Sequence, residues 1–419
     1  AKQVYPGKRN SLDGLCDRGH LPWLAEQLAR AGLVLRRSVA VRDDDGGLEQ
    51  EFKRSWAEAD IVITTGGIGP RYNDCTREAV ARALQRKLAY DKAAEAVLIA
   101  ELGAAGRPQV RSADLTQCWI LEGGELLPNV KGTAPGIFFR ENDKALVMLP
   151  GDGIALHDVF ARFALPRLRE FSHCPSGQEH FVQVRAFGPT ISVVEDRIRP
   201  LLDHKRVKFV TGESNGMIDI RLLPGKSGLC CNGLLGVAKE IREALGEDFV
   251  CTGTGTLAEI VLEQLTALNF SLSVAESCTG GLLSGALTKV PGASRVFKGG
   301  AVVYSDEVKR LLGVPEEILQ QHGAVSAEVA MTLATAVAER FGTDYGLSVT
   351  GFAGPTGGTE TDPVGTVYLG YSSPQGAWAQ RHVLRGDRAA VRARAVNTAL
   401  DWVRRNLNRY RVTDVLNQA

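Results

Sequence analysis

Ala275-Glu276-Ser277-Cys278-Thr279-Gly280-Gly281 is the stretch on which the reading of this chain turns. It follows the apolar alternating run Leu272-Ser273-Val274 and opens a helical pattern over 282–289. This is a strand-to-helix turn, the joint of a βα unit. A serine hydroxyl sits at the turn, and the two glycines behind it let backbone come close to a substrate. The helix that follows is expected to aim free N–H groups at the same spot, which suits an anion or a developing oxyanion. Further on, Gly299-Gly300-Ala301-Val302-Val303-Tyr304-Ser305 leads to Lys309. Val349-Thr350-Gly351-Phe352-Ala353-Gly354-Pro355 reads as another glycine-broken strand end. Together these stretches predict one polar pocket holding a serine and a lysine.

The chain has 419 residues, which calls for two or three domains. Hydrophobic content of 44% and charged content of 23% are those of a globular protein. The 49 basic and 48 acidic residues leave a net charge of +1, which gives no support to a nucleic-acid partner. Arg404-Arg405 is a local basic pair and is expected on a solvated helix face. Eight cysteines occur, none in a CxxC pair or at metal-ligand spacing with histidine, so reduced thiols in a cytosolic protein are expected. No apolar run long enough to span a membrane is present, and the first residues lack a signal-peptide core.

The first third alternates helix and strand patterns. Helices are expected over 21–31 (Leu24, Leu28 and Ala31 on one face), 48–58 and 76–84, with strands over 34–41, 60–65 and 145–149. Such βαβ alternation predicts a mostly parallel sheet covered by helices. The segment 180–247 differs. It offers extended runs at 181–187, 207–210 and 217–223, with helices over 191–202 and 236–245, an α+β pattern. From about Thr256 to Leu407 the chain alternates α and β again, and a polar, loosely ordered tail is expected over 408–419.

Residues 256–407 resemble the CinA C-terminal domain, the nicotinamide mononucleotide (NMN) deamidase family. The likeness rests on Val274–Gly281, Val290-Pro291-Gly292-Ala293-Ser294, Val303-Tyr304-Ser305, Lys309 with Leu311-Leu312-Gly313-Val314-Pro315, His322-Gly323-Ala324-Val325-Ser326, Thr350–Pro355, Pro363-Val364-Gly365-Thr366-Val367 and Gly386-Asp387-Arg388. The resemblance implies an amidohydrolase that converts NMN to nicotinic acid mononucleotide and ammonia, with Ser277 as nucleophile and Lys309 as general base. Serine needs an adjacent base to become a nucleophile, so the pairing makes chemical sense. Backbone N–H groups at Thr279 and Gly280 are the expected oxyanion donors. Tyr304 and Ser305 are placed at the substrate, with Tyr304 stacking on the pyridine ring or packing in the core. Thr350, Gly351 and Gly354 are expected to cradle ribose or phosphate, and Arg388 or Arg392 to hold the 5′-phosphate. Bland roles stand beside these: Ser277 can serve as a helix cap, Lys309 can lie on a solvated face, and Cys278 is a rival nucleophile by chemistry.

Residues 1–172 resemble the CinA N-terminal domain, itself similar to molybdopterin-binding proteins, through Thr65-Gly66-Gly67-Ile68-Gly69-Pro70, Asp74, Thr76, Glu78, Lys131-Gly132-Thr133-Ala134-Pro135-Gly136 and Leu149-Pro150-Gly151. Some members of that family are similar to metal-dependent ADP-ribose pyrophosphatases, which makes Gly66, Gly67, Asp74, Thr76, Glu78 and Thr133 a candidate second pocket. This chain departs from the family pattern in three places. Residues 8–15 lack the early Gly-Thr-Glu, Arg71-Tyr72-Asn73-Asp74 replaces Thr-Pro-Asp-Asp, and Asp152-Gly153-Ile154-Ala155-Leu156 lacks the usual glutamate. Hard divalent cations need several oxygen ligands, so these losses count against metal-dependent activity. Residues 173–252 resemble the family's small KH-like linking domain but lack the Gly-x-x-Gly clamp for RNA.

The expectation is therefore an α/β protein in three parts. They are a molybdopterin-binding-like α/β domain (1–172) with a degenerate site, a KH-like α+β domain (173–252) and an α/β deamidase domain (253–408). The resemblance further implies a cytoplasmic homodimer acting on a small pyridine nucleotide without cofactor, nucleic acid or membrane. The alternatives are a pyrophosphatase in the first domain and a non-enzymatic competence-related scaffold.

Overall fold

The computed structural model describes residues 2–6, 20–41, 46–107, 109–172, 181–224 and 231–417. The chain divides into two compact units, Ala1–Phe181 and Val182–Ala419. The departure from family pattern at 8–15 lies outside the described residues, as do Cys16, Cys174 and Cys230. Cys75, Cys118, Cys251 and Cys278 form no disulfide.

The first unit runs β1 (Lys2–Pro6), α1 (Leu21–Arg30), β2 (Ser38–Val41), α2 (Gly47–Glu58), β3 (Ile61–Thr65), α3 (Thr76–Leu84), β4 (Leu88–Tyr90), α4 (Lys92–Ala104), β5 (Trp119–Leu121), β6 (Glu125–Leu127), β7 (Gly136–Glu141), β8 (Lys144–Leu149), α5 (Gly153–Val159) and α6 (Leu165–Phe171). Its main sheet has the order β2-β1-β3-β8-β7-β6, parallel from β2 to β8 and antiparallel beyond. The reason is visible in β3. Ile61 and Ile63 pack with Leu24 and Leu28 of α1 on one face, while Val62 packs with Phe52 of α2 and Val80 of α3 on the other. Burial on both faces explains why β3 is a continuous apolar run rather than an alternating one.

The second unit opens with β9 (Val182–Phe187), α7 (Ile191–His204), β10 (Lys208–Ser214), β11 (Met217–Leu223), α8 (Cys231–Leu245) and β12 (Phe249–Thr252). These strands form an antiparallel sheet in the order β10-β11-β9-β12. The expected small α+β segment thus takes β-α-β-β-α-β connectivity, the ferredoxin-like split arrangement, an order that the KH likeness did not specify. Val182, Val184 and Ala186 face Val194, Ile198 and Leu202 of α7, and the alternate residue Arg185 faces the opposite side and pairs with Asp219.

The rest of the unit runs α9 (Leu257–Leu268), β13 (Leu272–Glu276), α10 (Leu282–Thr288), β14 (Phe297–Val302), α11 (Asp306–Leu312), α12 (Glu316–His322), α13 (Ala327–Phe341), β15 (Tyr345–Gly351), β16 (Thr366–Ser373), β17 (Gly376–Val383) and α14 (Arg388–Asn417). The sheet order is β14-β13-β15-β16-β17, with β14, β13 and β15 parallel. Leu272 and Val274 of β13 pack towards α9, α10 and α14, and Ala275 packs towards α13. A Cβ at Gly346 or Gly370 would strike the Ala334 or Ala330 carbonyl, so both glycines let α13 lie at backbone distance from β15 and β16.

Two expectations need correction here. Helix α14 continues to Asn417, where a loose tail was expected after Leu407. Arg404 is buried rather than solvated. It donates to Asp401 Oδ1 (2.8 Å) and to the Phe249 and Glu247 carbonyls (2.8 and 2.6 Å). Arg405 donates to Asp401, Asp248 and the Phe187 carbonyl. The pair fastens α14 to the antiparallel module. A local charge pattern carries no information about which carbonyls another module will present. No helix among the described residues is long and apolar enough to cross a membrane.

Candidate active site

Strand β13 ends level with β14, where Glu276 stands opposite Val302, and two residues before the end of β15, where Glu276 stands opposite Val349. The ladder runs one step further on each side. Ser277 N–H donates to the Val349 carbonyl (2.8 Å), and Val303 N–H donates to the Glu276 carbonyl (2.8 Å). The carboxyl ends of three parallel strands therefore open on one spot, where open α/β sheets bind their ligands. Ser277 sits there with its side of the turn nearly buried, at 8% exposed. Among the described residues, no group stands in hydrogen-bond geometry with its hydroxyl.

The turn itself needs left-handed backbone at Gly280 (φ 56°) and Gly281 (φ 94°), which glycine adopts without strain. Glu276, fully buried, then folds its carboxylate back over the start of α10. It accepts from the N–H groups of Gly281 (3.0 Å), Leu283 (2.9 Å) and Ser284 (2.7 Å), and from the Ser284 hydroxyl (2.6 Å). This corrects the expectation of free helix N–H groups for a substrate anion: a resident carboxylate holds them. Gly280 N–H closes the turn on the Ser277 carbonyl (3.1 Å), whereas Thr279 N–H, among the described residues, donates no hydrogen bond. The Thr279 hydroxyl is buried without a partner. Glu276 was missed in the sequence. Its signal was a charged residue closing a fully buried strand just before the serine.

Lys309 lies on α11, which Ser305 caps by accepting from Val308 N–H (3.4 Å). The lysine is 2% exposed, so the solvated-face reading is corrected, and its Nζ donates to Asp306 Oδ1 at 3.0 Å. Tyr304, two residues past the end of β14, is 63% exposed and is not a core residue.

Helix α14 delivers both candidate arginines to this end of the sheet. Arg388 donates to the Gly354 carbonyl (2.7 Å) and to the Tyr304 hydroxyl (3.2 Å), joining three expected site residues. Arg392 donates to the Cys278 and Thr279 carbonyls (3.0 and 2.7 Å), so it braces the serine turn from outside. The Thr350 hydroxyl is directed to the Ala324 carbonyl (2.8 Å) rather than towards a ligand. At Gly351 a Cβ would meet the Thr366 carbonyl, which makes that glycine a close-packing position. Burial pushes the Cys278 thiol up to about 11 and keeps it protonated near neutrality, against its role as nucleophile.

The first unit places Gly66, Gly67, Asp74, Thr76 and Glu78 in the turn after β3 and the start of α3, and Thr133 elsewhere, beside Gln117; most of their polar atoms are taken. The Thr76 hydroxyl donates to the Gly66 carbonyl (3.0 Å), and a Cβ at Gly67 would collide with it. Asp74 accepts from Arg71 N–H (2.9 Å) within its own turn, and Thr133 donates to Gln117 Oε1 (3.0 Å). Arg77, 2% exposed, donates to the Ile68 and Gly69 carbonyls beneath the glycines. Glu78 Oε2 is buried without a partner. One self-capped carboxylate, one glutamate and a buried guanidinium between them are a poor donor set for a hard divalent cation. Among the described residues, no group of three or more His, Cys, Asp or Glu is arranged to hold a metal.

Each unit matches a family model of its own. Residues 254–407 match the family model described as "CinA C-terminal domain", and residues 13–170 match the one described as "Probable molybdopterin binding domain". A CinA-like protein of Kosmotoga olearia is 36% identical over 389 residues, covering 92% of this chain and 93% of the relative. A putative competence-damage inducible protein of Caldanaerobacter subterraneus is 36% identical over 387 residues with the same coverage. A solved CinA superfamily protein of Klebsiella pneumoniae is 35% identical and covers 36% of this chain and 96% of its own, with a TM-score of 0.36. With a relative this similar along nine-tenths of its length, and with both modules matched in order, the chain belongs to the CinA family.

Proposed function

We propose that the second unit is an amidohydrolase that converts nicotinamide mononucleotide to nicotinic acid mononucleotide and ammonia. What supports this reading is an uncommitted serine hydroxyl at the carboxyl end of β13, two arginines of α14 bonded to the loops at that end of the sheet, and a buried lysine on α11, the helix that follows β14. Ser277 Oγ attacks the amide carbonyl carbon while Lys309 Nζ takes its proton. Thr279 N–H is the donor left to meet the oxyanion. Collapse of the tetrahedral intermediate expels the amide nitrogen, which leaves as ammonia with that proton. Water then attacks the acyl-serine, and Ser277 regains its hydrogen as the carboxylic acid departs. None of these steps calls for a metal or cofactor.

Arg388 and Tyr304 form the outer rim, where the tyrosine ring suits the pyridine and the guanidinium suits the phosphate. The same reading makes the protein a cytoplasmic homodimer with a small-molecule substrate, no nucleic acid and no membrane partner. It treats the first unit as non-catalytic. The test is ammonia release from NMN by the purified chain without added metal, beside Ser277→Ala and Lys309→Ala. Release by the wild type, with loss of at least about a thousandfold in both variants, supports the reading. Full activity in Ser277→Ala would sink the dyad, and no release by the wild type would sink the substrate.

A further inference from the structure

We propose that the second unit holds a second small-molecule site, for a ligand with one planar ring and one anionic group, a mononucleotide in chemical class. The site is the cleft of about 720 Å³ between the antiparallel module and the C-terminal module. That volume falls within the range of roughly 300–1,000 Å³ typical of ligand pockets. One wall is the turn from β9 into α7, and the other is β17 with α14. A smaller cleft of about 300 Å³ adjoins it around Trp402 and adds Trp378 and Tyr371. None of Ser277, Lys309, Tyr304, Arg388 and Arg392 lines either cleft.

The two ends of the cleft differ in chemistry. At the ring end, Tyr371 lies 5.4 Å from Trp402 and 6.1 Å from Trp378, ring centre to ring centre. Trp378 is 45% exposed, so aromatic surface is open to a planar ligand. At the other end α7, a helix of 14 residues, begins without a side-chain cap. The Thr190 hydroxyl pairs with the Ser192 hydroxyl (3.0 Å) instead of a first-turn N–H. The Nε of Arg394, which lines the same cleft, is buried without a partner, although its Nη2 binds Glu213 (2.7 Å). Arg394 and Trp402 are eight residues apart on α14, a rise of about 12 Å, so the anion end and the ring end stand a mononucleotide's length from each other.

The charge balance limits the ligand to a single anionic group. Glu213 faces Arg394, Glu247 faces Arg409, and Asp401 faces Arg405. These pairs cancel, so the cleft carries no field for a polyanion. What remains unmet is local: the first-turn N–H groups of α7 and one guanidinium N–H. A ligand seated there touches both modules and holds them together.

Calorimetric titration of the full chain with AMP, adenosine and inorganic phosphate tests the site. AMP is expected to bind saturably, and adenosine and phosphate each at least about tenfold more weakly. Ser192→Asp puts a carboxylate in the first turn of α7, which favours the helix but repels the anion. It should lower AMP affinity at least about tenfold without lowering the melting temperature of the free protein. Arg394→Gln and Trp378→Ala should each weaken AMP, while Ser277→Ala should bind it as the wild type does. The proposal is overturned by the absence of saturable AMP binding, by phosphate binding as tightly as AMP, by unchanged affinity in Ser192→Asp, or by loss of AMP binding in Ser277→Ala.

Discussion

Glu276 gives the serine turn its shape, and it does so by consuming what a helix start normally offers to a ligand. Four donors converge on its carboxylate. Leaving such groups buried and unpaired costs about 1–3 kcal/mol each before relaxation, and water entering the void recovers part of that. Glu276→Ala should therefore lower stability by about 2–4 kcal/mol, read by urea unfolding. Glu276→Gln keeps the shape but turns an amide N–H₂ towards donors, so it should cut the rate of ammonia release more than it raises KM. A variant with the wild-type rate would show that the turn holds itself. Cys278 gives a second test. With its thiol near 11, only about one part in a thousand is thiolate at pH 8, and the fraction rises tenfold per pH unit up to that value. Alkylation of the Cys278 peptide, followed by mass spectrometry, should be slow at pH 8 and climb on that slope, and Cys278→Ala should keep its activity. Fast labelling at pH 7 would place the thiol outside the core. The serine and lysine were legible as residues because a turn motif and its glycines are local. The glutamate's role was not, since it depends on which N–H groups the fold brings within its reach.

The helix–sheet contact over β15 and β16 depends on the two glycines already noted, and this is where an element-scale test is cleanest. At Gly370 a Cβ would press on the Ala330 carbonyl and carbon and on the Ser348 hydroxyl, and backbone cannot step aside as a side chain can. Gly370→Ala should destabilise the protein by about 1–3 kcal/mol. Gly212→Ala on β10, where a Cβ would meet nothing within 4 Å, should cost far less. Equal effects in thermal melts would mean that α13 does not lie this close to the sheet. Elements such as α3, α1 and β11 were readable because their own periodicity sets them, give or take a residue. The strand expected over 34–41 shortened to Ser38–Val41, and α14 outran its expected end. Neither limit is written in local pattern: a strand lasts as long as its partner does, here β1. The destiny of Arg404 belongs to the same class, because burial of a guanidinium requires the Asp401 carboxylate and two carbonyls from a distant segment.

At the scale of the molecule, the residues of the proposed reaction follow the division of the cores. The apolar clusters of the first unit draw on residues between Leu24 and Leu168, and those of the second on residues between Val182 and Leu407. Every residue assigned to ammonia release, and every residue lining the proposed mononucleotide cleft, lies in the second unit. The two sheets of that unit are fastened by Arg404 and Arg405, whose carboxylate and carbonyl partners all lie beyond residue 181. A domain with its own core and its own satisfied buried charges folds as a unit. A chain cut to residues 182–419 should therefore unfold in one cooperative transition and release ammonia from NMN at the rate of the full-length protein. Cutting instead after Thr252 removes the Glu247 and Phe249 carbonyls that Arg404 holds and the Asp248 and Phe187 partners of Arg405, and leaves Asp401 alone to pair both guanidiniums. Residues 253–419 alone should then melt at lower temperature than 182–419. If the shorter fragment proves as stable as the longer one, the clasp is not what holds α14 in place, and the ferredoxin-like module has no part in the stability of the C-terminal sheet.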